Sequence, residues 1–180
     1  MSTKDTLIDS GIRLVRKQGY AGFSYADLSQ VVGIRKPGIH HHFPAKEDLG
    51  VAMVDRYSET FRKRLRAIAA ETTSLKDKIA AYAEIYREAL ELDEGCLCGM
   101  LASEVSILPD AVRLRVSAFF EENVRWLEGV LRADPKRDVE AEARMILGTL
   151  QGTLVVARAL ADRGLFENAV AGLLKRLETH

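Results

Sequence analysis

Between residues 33 and 49 the chain reads Gly-Ile-Arg-Lys-Pro-Gly-Ile-His-His-His-Phe-Pro-Ala-Lys-Glu-Asp-Leu, an order that few folds accommodate. Gly33 closes the short apolar-periodic segment Tyr25–Val32 with the left-handed residue that helix ends favour. Ile34 and Ile39 then bracket a basic helix of about two turns that begins near Lys36. Pro37 fits there because first-turn amides have no helical acceptor, and Pro44 stops the helix. Two short helices joined steeply by a glycine turn predict a helix-turn-helix, whose second helix enters the major groove of DNA.

Helical periodicity runs through the rest of the chain. Thr3 or Thr6 is expected to open a first helix, with Leu7, Ile8, Gly11, Leu14 and Val15 on one face and Gly19 at its end. Ser24 with Asp27 three residues on predicts a capping box for the second helix. A long helix is expected from Ala45–Asp48 to about Ala70, and another from the Ser74 cap to about Leu92. Cys98–Ile107 reads as a short helix, Asp110 to about Arg132 as a long one, and Ala133-Asp134-Pro135 as a turn. The last two helices are expected at 138–163 and 165–178, broken at Arg163-Gly164. No stretch carries the β-branched alternation of a strand, so the expected fold is all-α with about nine helices.

Charge is distributed unevenly along a chain whose net charge is zero. Residues 1–66 carry 12 Lys/Arg and 7 Asp/Glu, whereas residues 67–180 carry 14 and 19. A basic first third suits docking on phosphates, although chance clustering on one helix (Arg62, Lys63, Arg64 and Arg66) would read the same way. No segment approaches the roughly 20 apolar residues of a membrane span, and no signal-peptide pattern opens the chain, so a cytoplasmic protein without membrane attachment is expected.

The order of helix, Gly-Tyr connector, capped helix, basic helix and aromatic-Pro-x-Lys-Glu-x-Leu resembles the tetracycline-repressor (TetR) family of bacterial transcriptional regulators. The matching residues are Leu7-Ile8, Leu14-Val15, Gly19-Tyr20, Phe23-Ser24, Leu28, Gly33-Ile34, Ile39, His42-Phe43 and Lys46-Glu47-x-Leu49, a span of about 45 residues. The resemblance implies a three-helix DNA-binding domain over residues 1–48 and a ligand-sensing and dimerisation domain over 49–180. It also implies base contacts from Arg35, Lys36, Gly38 and His41, and phosphate contacts from Ser24, Tyr25, His40, His42 and Lys46. Core packing is the alternative for Tyr25 and His42, and plain solvated charge for Lys36 and Lys46. The family usually has tyrosine where this chain has His40, and often a small residue where it has Arg35.

One reading helix recognises too few base pairs for a bacterial genome, so a homodimer on palindromic double-stranded DNA is expected. Gly148, Gly152, Val155 and Ala159, followed by Leu165, Phe166, Val170, Leu173, Leu174 and Leu177, are small or apolar at helical spacing. In the family this helix pair forms the dimer, and the alternative is that these residues fill one subunit's core. The resemblance further implies a regulator, most often a repressor, released from its operator by a small-molecule effector held among the later helices. Candidate pocket residues are Tyr57, Phe61, Tyr82, Tyr86, Met100, Leu101, Glu104, Phe119, Phe120, Asn123, Trp126, Leu127 and Gln151.

The only cysteines, Cys96 and Cys98, stand at the opening of the predicted short helix. They read either as a thiol switch, with a thiolate favoured by the helix N-terminus, or as small apolar residues lining the interior. The His40-His41-His42 run is not a metal site, because successive helical side chains diverge by about 100°. No nucleophile–base pair or phosphate-cradling glycine loop points to an enzyme, and no cofactor is expected.

Overall fold

The computed structural model describes residues 2–132 and 138–178, so the expected turn Ala133-Asp134-Pro135 lies outside the described residues. Among the described residues the chain forms nine α-helices and no strand. In order they are α1 (Thr3–Gln18), α2 (Tyr25–Val32), α3 (Lys36–His42), α4 (Lys46–Glu71), α5 (Leu75–Glu91), α6 (Leu97–Ser103), α7 (Asp110–Leu131), α8 (Val139–Leu160) and α9 (Arg163–Glu178). A 3-10 turn, Val105–Ile107, follows α6, so the single short helix expected over Cys98–Ile107 is two pieces. No helix is long and apolar enough to cross a membrane among the described residues.

Local chemistry accounts for most helix ends. Ser24 accepts from the amides of Ala26 and Asp27 while Asp27 returns a bond to the Ser24 amide, a complete capping box. The same device opens α1, but from Ser2 and Asp5 rather than from Thr3 or Thr6. Gly33, at φ 73°, ends α2 in the left-handed region and donates its amide to Ser29 O. The α8–α9 break corrects the expectation at Arg163-Gly164. Ala161 takes the left-handed conformation at φ 50°, and Gly164 falls inside the first turn of α9.

The chain divides into two compact units, one running through Thr60 and resuming at Cys96–Phe119, the other comprising Phe61–Gly95 and the residues from Phe120 onward. α6 and the first half of α7 fall in the same unit as the N-terminal helices. In the first unit Leu7, Val15, Leu28, Ile39, Leu49 and Met53 are fully buried together with Leu97, Leu101 and Val112. Arg56 of α4 pairs with Asp5 and Asp9 of α1. In the second unit α5, α8 and α9 pack on one another, burying Ile79, Tyr82, Leu150, Leu154 and Phe166. Arg87 grips Glu167 with two nitrogens at 2.7 and 2.9 Å, a fork geometry that joins α5 to α9.

Two glycines test how these ends are made. Gly33 has open space where a Cβ would stand, so Gly33→Ala adds only backbone strain of about 1–2 kcal/mol. Gly19 lies at φ 81°, ψ 172°, a region nearly restricted to glycine, and an added Cβ would stand 2.6 Å from Glu104 Oε1. Gly19→Ala is therefore expected to lower the melting temperature more than Gly33→Ala, as measured by circular dichroism.

Candidate nucleic-acid interface

The candidate reading helix α3 spans seven residues, too few to be stable alone, so its neighbours must hold it. Ile39 is fully buried and Phe43, at the C-cap, is nearly so, which fixes the inner face. Tyr25, the first residue of α2, shares its single hydroxyl proton between the carbonyls of Phe43 (2.9 Å) and Ala45 (2.7 Å). Those two bonds tie the start of α2 to the turn that ends α3. His40 packs edge-on against the Tyr25 ring at 4.9 Å, and its Nδ1 lies 3.1 Å from Pro44 O. A carbonyl only accepts, so Nδ1 carries the proton and only the doubly protonated ring would donate outward from Nε2.

The opposite end of α3 is open. Arg35 is the N-cap, with extended backbone and no capping side chain, and Lys36 is the first helical residue. Both are exposed, and neither side chain makes a hydrogen bond or ion pair among the described residues. His41 is exposed as well, with its ring against that of His42. Arg35, Lys36 and His41 are thus displayed on the solvent side of the helix whose other side carries Ile39.

Several expected contact residues have other work. The Ser24 hydroxyl is engaged with Asp27 at 2.6 Å, and the Tyr25 hydroxyl with two carbonyls, so neither is poised for a phosphate. Gly38 is explained within the protein, since a Cβ there would stand 2.8 Å from Ile34 Cγ2. Lys46 is half-buried, donates to Tyr20 O at 2.6 Å, and lies over the Tyr20 and Phe23 rings at 4.4 and 4.7 Å. Burial lowers its pKa, while the nearby carboxylates of Glu104 and Asp27 act in the other direction. Its ammonium is therefore engaged with the Tyr20 carbonyl while remaining partly open to solvent.

The thirteen candidate pocket residues divide between the two units. In the first, the Tyr57 hydroxyl donates to Cys96 Sγ at 3.6 Å, its ring lies 5.7 Å from that of Phe119, and Leu101 is fully buried. Met100 stands half-exposed on the same short helix, α6. Glu104 belongs elsewhere: its carboxylate accepts from the amides of Tyr20 (2.6 Å) and Ala21 (3.2 Å). In the second unit Phe61, Tyr82, Tyr86, Asn123 and Trp126 come together. Tyr82 donates to Asn123 Oδ1 at 3.0 Å, meets Tyr86 hydroxyl to hydroxyl at 3.0 Å, and stacks on Trp126 at 5.3 Å. Phe61 stands edge-on to both tyrosines at 6.2 and 6.3 Å. Leu127 is buried beside this group on α7, whereas Phe120 and Gln151 are half-buried.

The cysteines show interior chemistry. Both are free and buried, and burial pushes the Cys98 thiol well above its ordinary pKa. That is the opposite of an activated thiolate. Among the described residues no group of three or more His, Cys, Asp or Glu is arranged to hold a metal ion.

The candidate dimer residues also separate. Gly148, Gly152, Val155 and Ala159 form an exposed stripe on α8, with Val155 57% accessible and open space beyond both glycines. Leu165, Leu174 and Leu177 are half-buried on α9. Phe166, Val170 and Leu173 are buried in the core of their own unit.

Residues 7–53, which contain most of α1, all of α2 and α3 and the start of α4, match the bacterial regulatory proteins of the tetR family. A TetR-family transcriptional regulator from Agrobacterium tumefaciens superimposes with a TM-score of 0.92 at 31% identity, covering 96% of each chain. The chain belongs to the TetR family. A TetR regulator from Legionella pneumophila aligns with a TM-score of 0.90 at 29% identity, over 98% of this chain and 97% of that one. The Escherichia coli transcriptional repressor NemR is 28% identical over 118 residues, or 62% of this chain. That match spans 58% of the NemR chain, so this protein aligns with little more than half the length of that relative. The family is one of transcriptional regulators rather than enzymes.

Burial holds the phenols of Tyr20 and Tyr25 up at about 12, against an ordinary 10.0. Between those values the unfolded chain releases protons that the folded chain retains, so stability falls as pH rises from 10 towards 12. Tyr25→Phe removes one contribution and should flatten that decline in thermal melts. At neutral pH it should lower stability by about 1 kcal/mol through loss of its hydrogen bonds.

Proposed function

We propose that the protein is a homodimeric transcriptional repressor of the cytoplasm. It binds a palindromic DNA operator through α3 and is released by a small-molecule effector. The observation that carries this reading is the exposed pair Arg35 and Lys36 at the open end of the glycine-turned α3, within the segment that matches the tetR family. Side chains at the N-terminal end of a recognition helix reach base edges, and arginine and lysine are suited to guanine O6 and N7. His41 adds a third candidate. With Ser24, Tyr25 and Lys46 engaged inside the protein, phosphate contact falls mainly to His40, His42 and the exposed first-unit cations Lys4, Arg13 and Lys17.

The test begins with duplex enriched from a random pool by the wild-type protein. Lys36→Ala should lose discrimination between that duplex and a scrambled one by about 1–3 kcal/mol. Equal loss of affinity for both duplexes, read by fluorescence anisotropy across a salt series, would remove Lys36 from base reading.

Dimerisation is supported by the α8 stripe. Gly148 and Gly152 bare the backbone for close helix approach, and Val155, Val156 and Leu160 remain 57%, 45% and 63% accessible in the single chain. A self-complementary patch of this kind is what a two-fold interface requires. Val155→Asp is expected to shift sedimentation from dimer to monomer without loss of helical signal, because the residue is mostly exposed in its own subunit. A variant that still sediments as a dimer would move the interface elsewhere.

The effector is assigned to the second unit, where Tyr82, Tyr86 and Asn123 supply uncharged polar groups amid the rings of Phe61 and Trp126. Such surroundings favour a largely apolar, uncharged molecule with a hydrogen-bonding group.

A further inference from the structure

The backbone of Tyr20 is held at its two ends by opposite charges. Its N–H donates to Glu104 Oε2 at 2.6 Å, with the Ala21 N–H at 3.2 Å from the same oxygen. Its carbonyl accepts from Lys46 Nζ at 2.6 Å. Tyr20 lies in the connector between α1 and α2, Lys46 opens α4, and Glu104 ends α6, 84 residues further along. The arrangement is shaped for this purpose. Gly19 takes a backbone conformation nearly restricted to glycine and leaves the space that the carboxylate fills. The Tyr20 ring in turn covers Gly50 of α4, where a Cβ would come within 3.3 Å of it.

We propose that Glu104 is a positioning residue for DNA binding, completing the reading unit from outside the three N-terminal helices. This rests on the reading of α3 as a DNA-binding helix. Glu104 touches no DNA itself. It fixes the α1–α2 connector and, through the Tyr20 backbone, the Lys46 end of α4, between which α2 and α3 are suspended. With the carboxylate in place the connector and the start of α4 keep one mutual geometry. Without it the Tyr20 and Ala21 amides lose their acceptor, Lys46 loses a nearby counter-charge, and DNA binding must order that segment anew.

The test compares wild type, Glu104→Ala, Glu104→Gln and the distant control Ile79→Val. Each is titrated against the duplex enriched by wild type and against its scrambled form. Amide exchange over residues 19–22 is followed by mass spectrometry, and melting temperature is recorded. Glu104→Ala should speed exchange in that segment and weaken binding to the enriched duplex by about tenfold, the order expected for a hydrogen bond to a charged group. Glu104→Gln keeps an accepting oxygen and should recover a substantial part of the affinity. Ile79→Val, which lowers the melting temperature through the second unit's core, should leave affinity unchanged. If Glu104→Ala binds as wild type does, or if the control loses as much affinity at matched stability, the positioning role is overturned while the DNA reading stands. If wild type enriches no duplex, the DNA reading falls, and the positioning role falls with it.

Discussion

A helix of seven residues cannot hold its own shape in water, and the whole N-terminal unit is organised around that fact. α3 persists because Ile39 and Phe43 are sunk beneath it and because the Tyr25 hydroxyl is shared between the Phe43 and Ala45 carbonyls just beyond it. Tyr25 is in turn set by the Ser24–Asp27 capping box, and α2 ends where Gly33 can turn left-handed. Each device leaves the exposed side of α3 bare of internal contacts, which is the condition a DNA-reading surface requires.

Rigid support brings a second consequence, because polar residues recruited to hold the helix are unavailable to nucleic acid. Ser24 and Tyr25 resemble phosphate ligands in sequence, yet their hydroxyls are consumed by caps and carbonyls. Arg35 and Lys36 have no such task. The division between supporting and displayed residues follows from hydrogen-bond satisfaction, since a half-buried hydroxyl or ammonium takes the nearest carbonyl.

The legible parts of the fold were those written in local chemistry. Capping at Ser24 and Ser74, the turn at Gly33 and the stop at Pro44 depend on residues within four positions, so a linear reading finds them. Where two local solutions compete, the reading slips. Gly164 was the natural residue for the α8–α9 break, but Ala161 adopts the left-handed conformation, and Asp162 faces the Leu165 amide at 3.4 Å. Periodicity also cannot say what an apolar stripe faces. On α9 it marked Phe166, Val170 and Leu173, which turn towards their own unit, while on α8 the stripe from Gly148 to Ala159 is bare. Glu104 was legible as a polar residue on an apolar helix but not as the acceptor for Tyr20, because nothing in sequence couples positions 84 residues apart.

Keeping the Lys46 ammonium indoors bears on how such a molecule searches a chromosome. Contacts with the sugar-phosphate chain strengthen attachment to every site alike, and a genome offers on the order of a million or more wrong ones. Each cation diverted to an internal carbonyl thins that indiscriminate adhesion, while the side chains that distinguish one base pair from another keep their reach. A reader with fewer such contacts would detach from wrong sites sooner and leave a larger share of its copies for the right one.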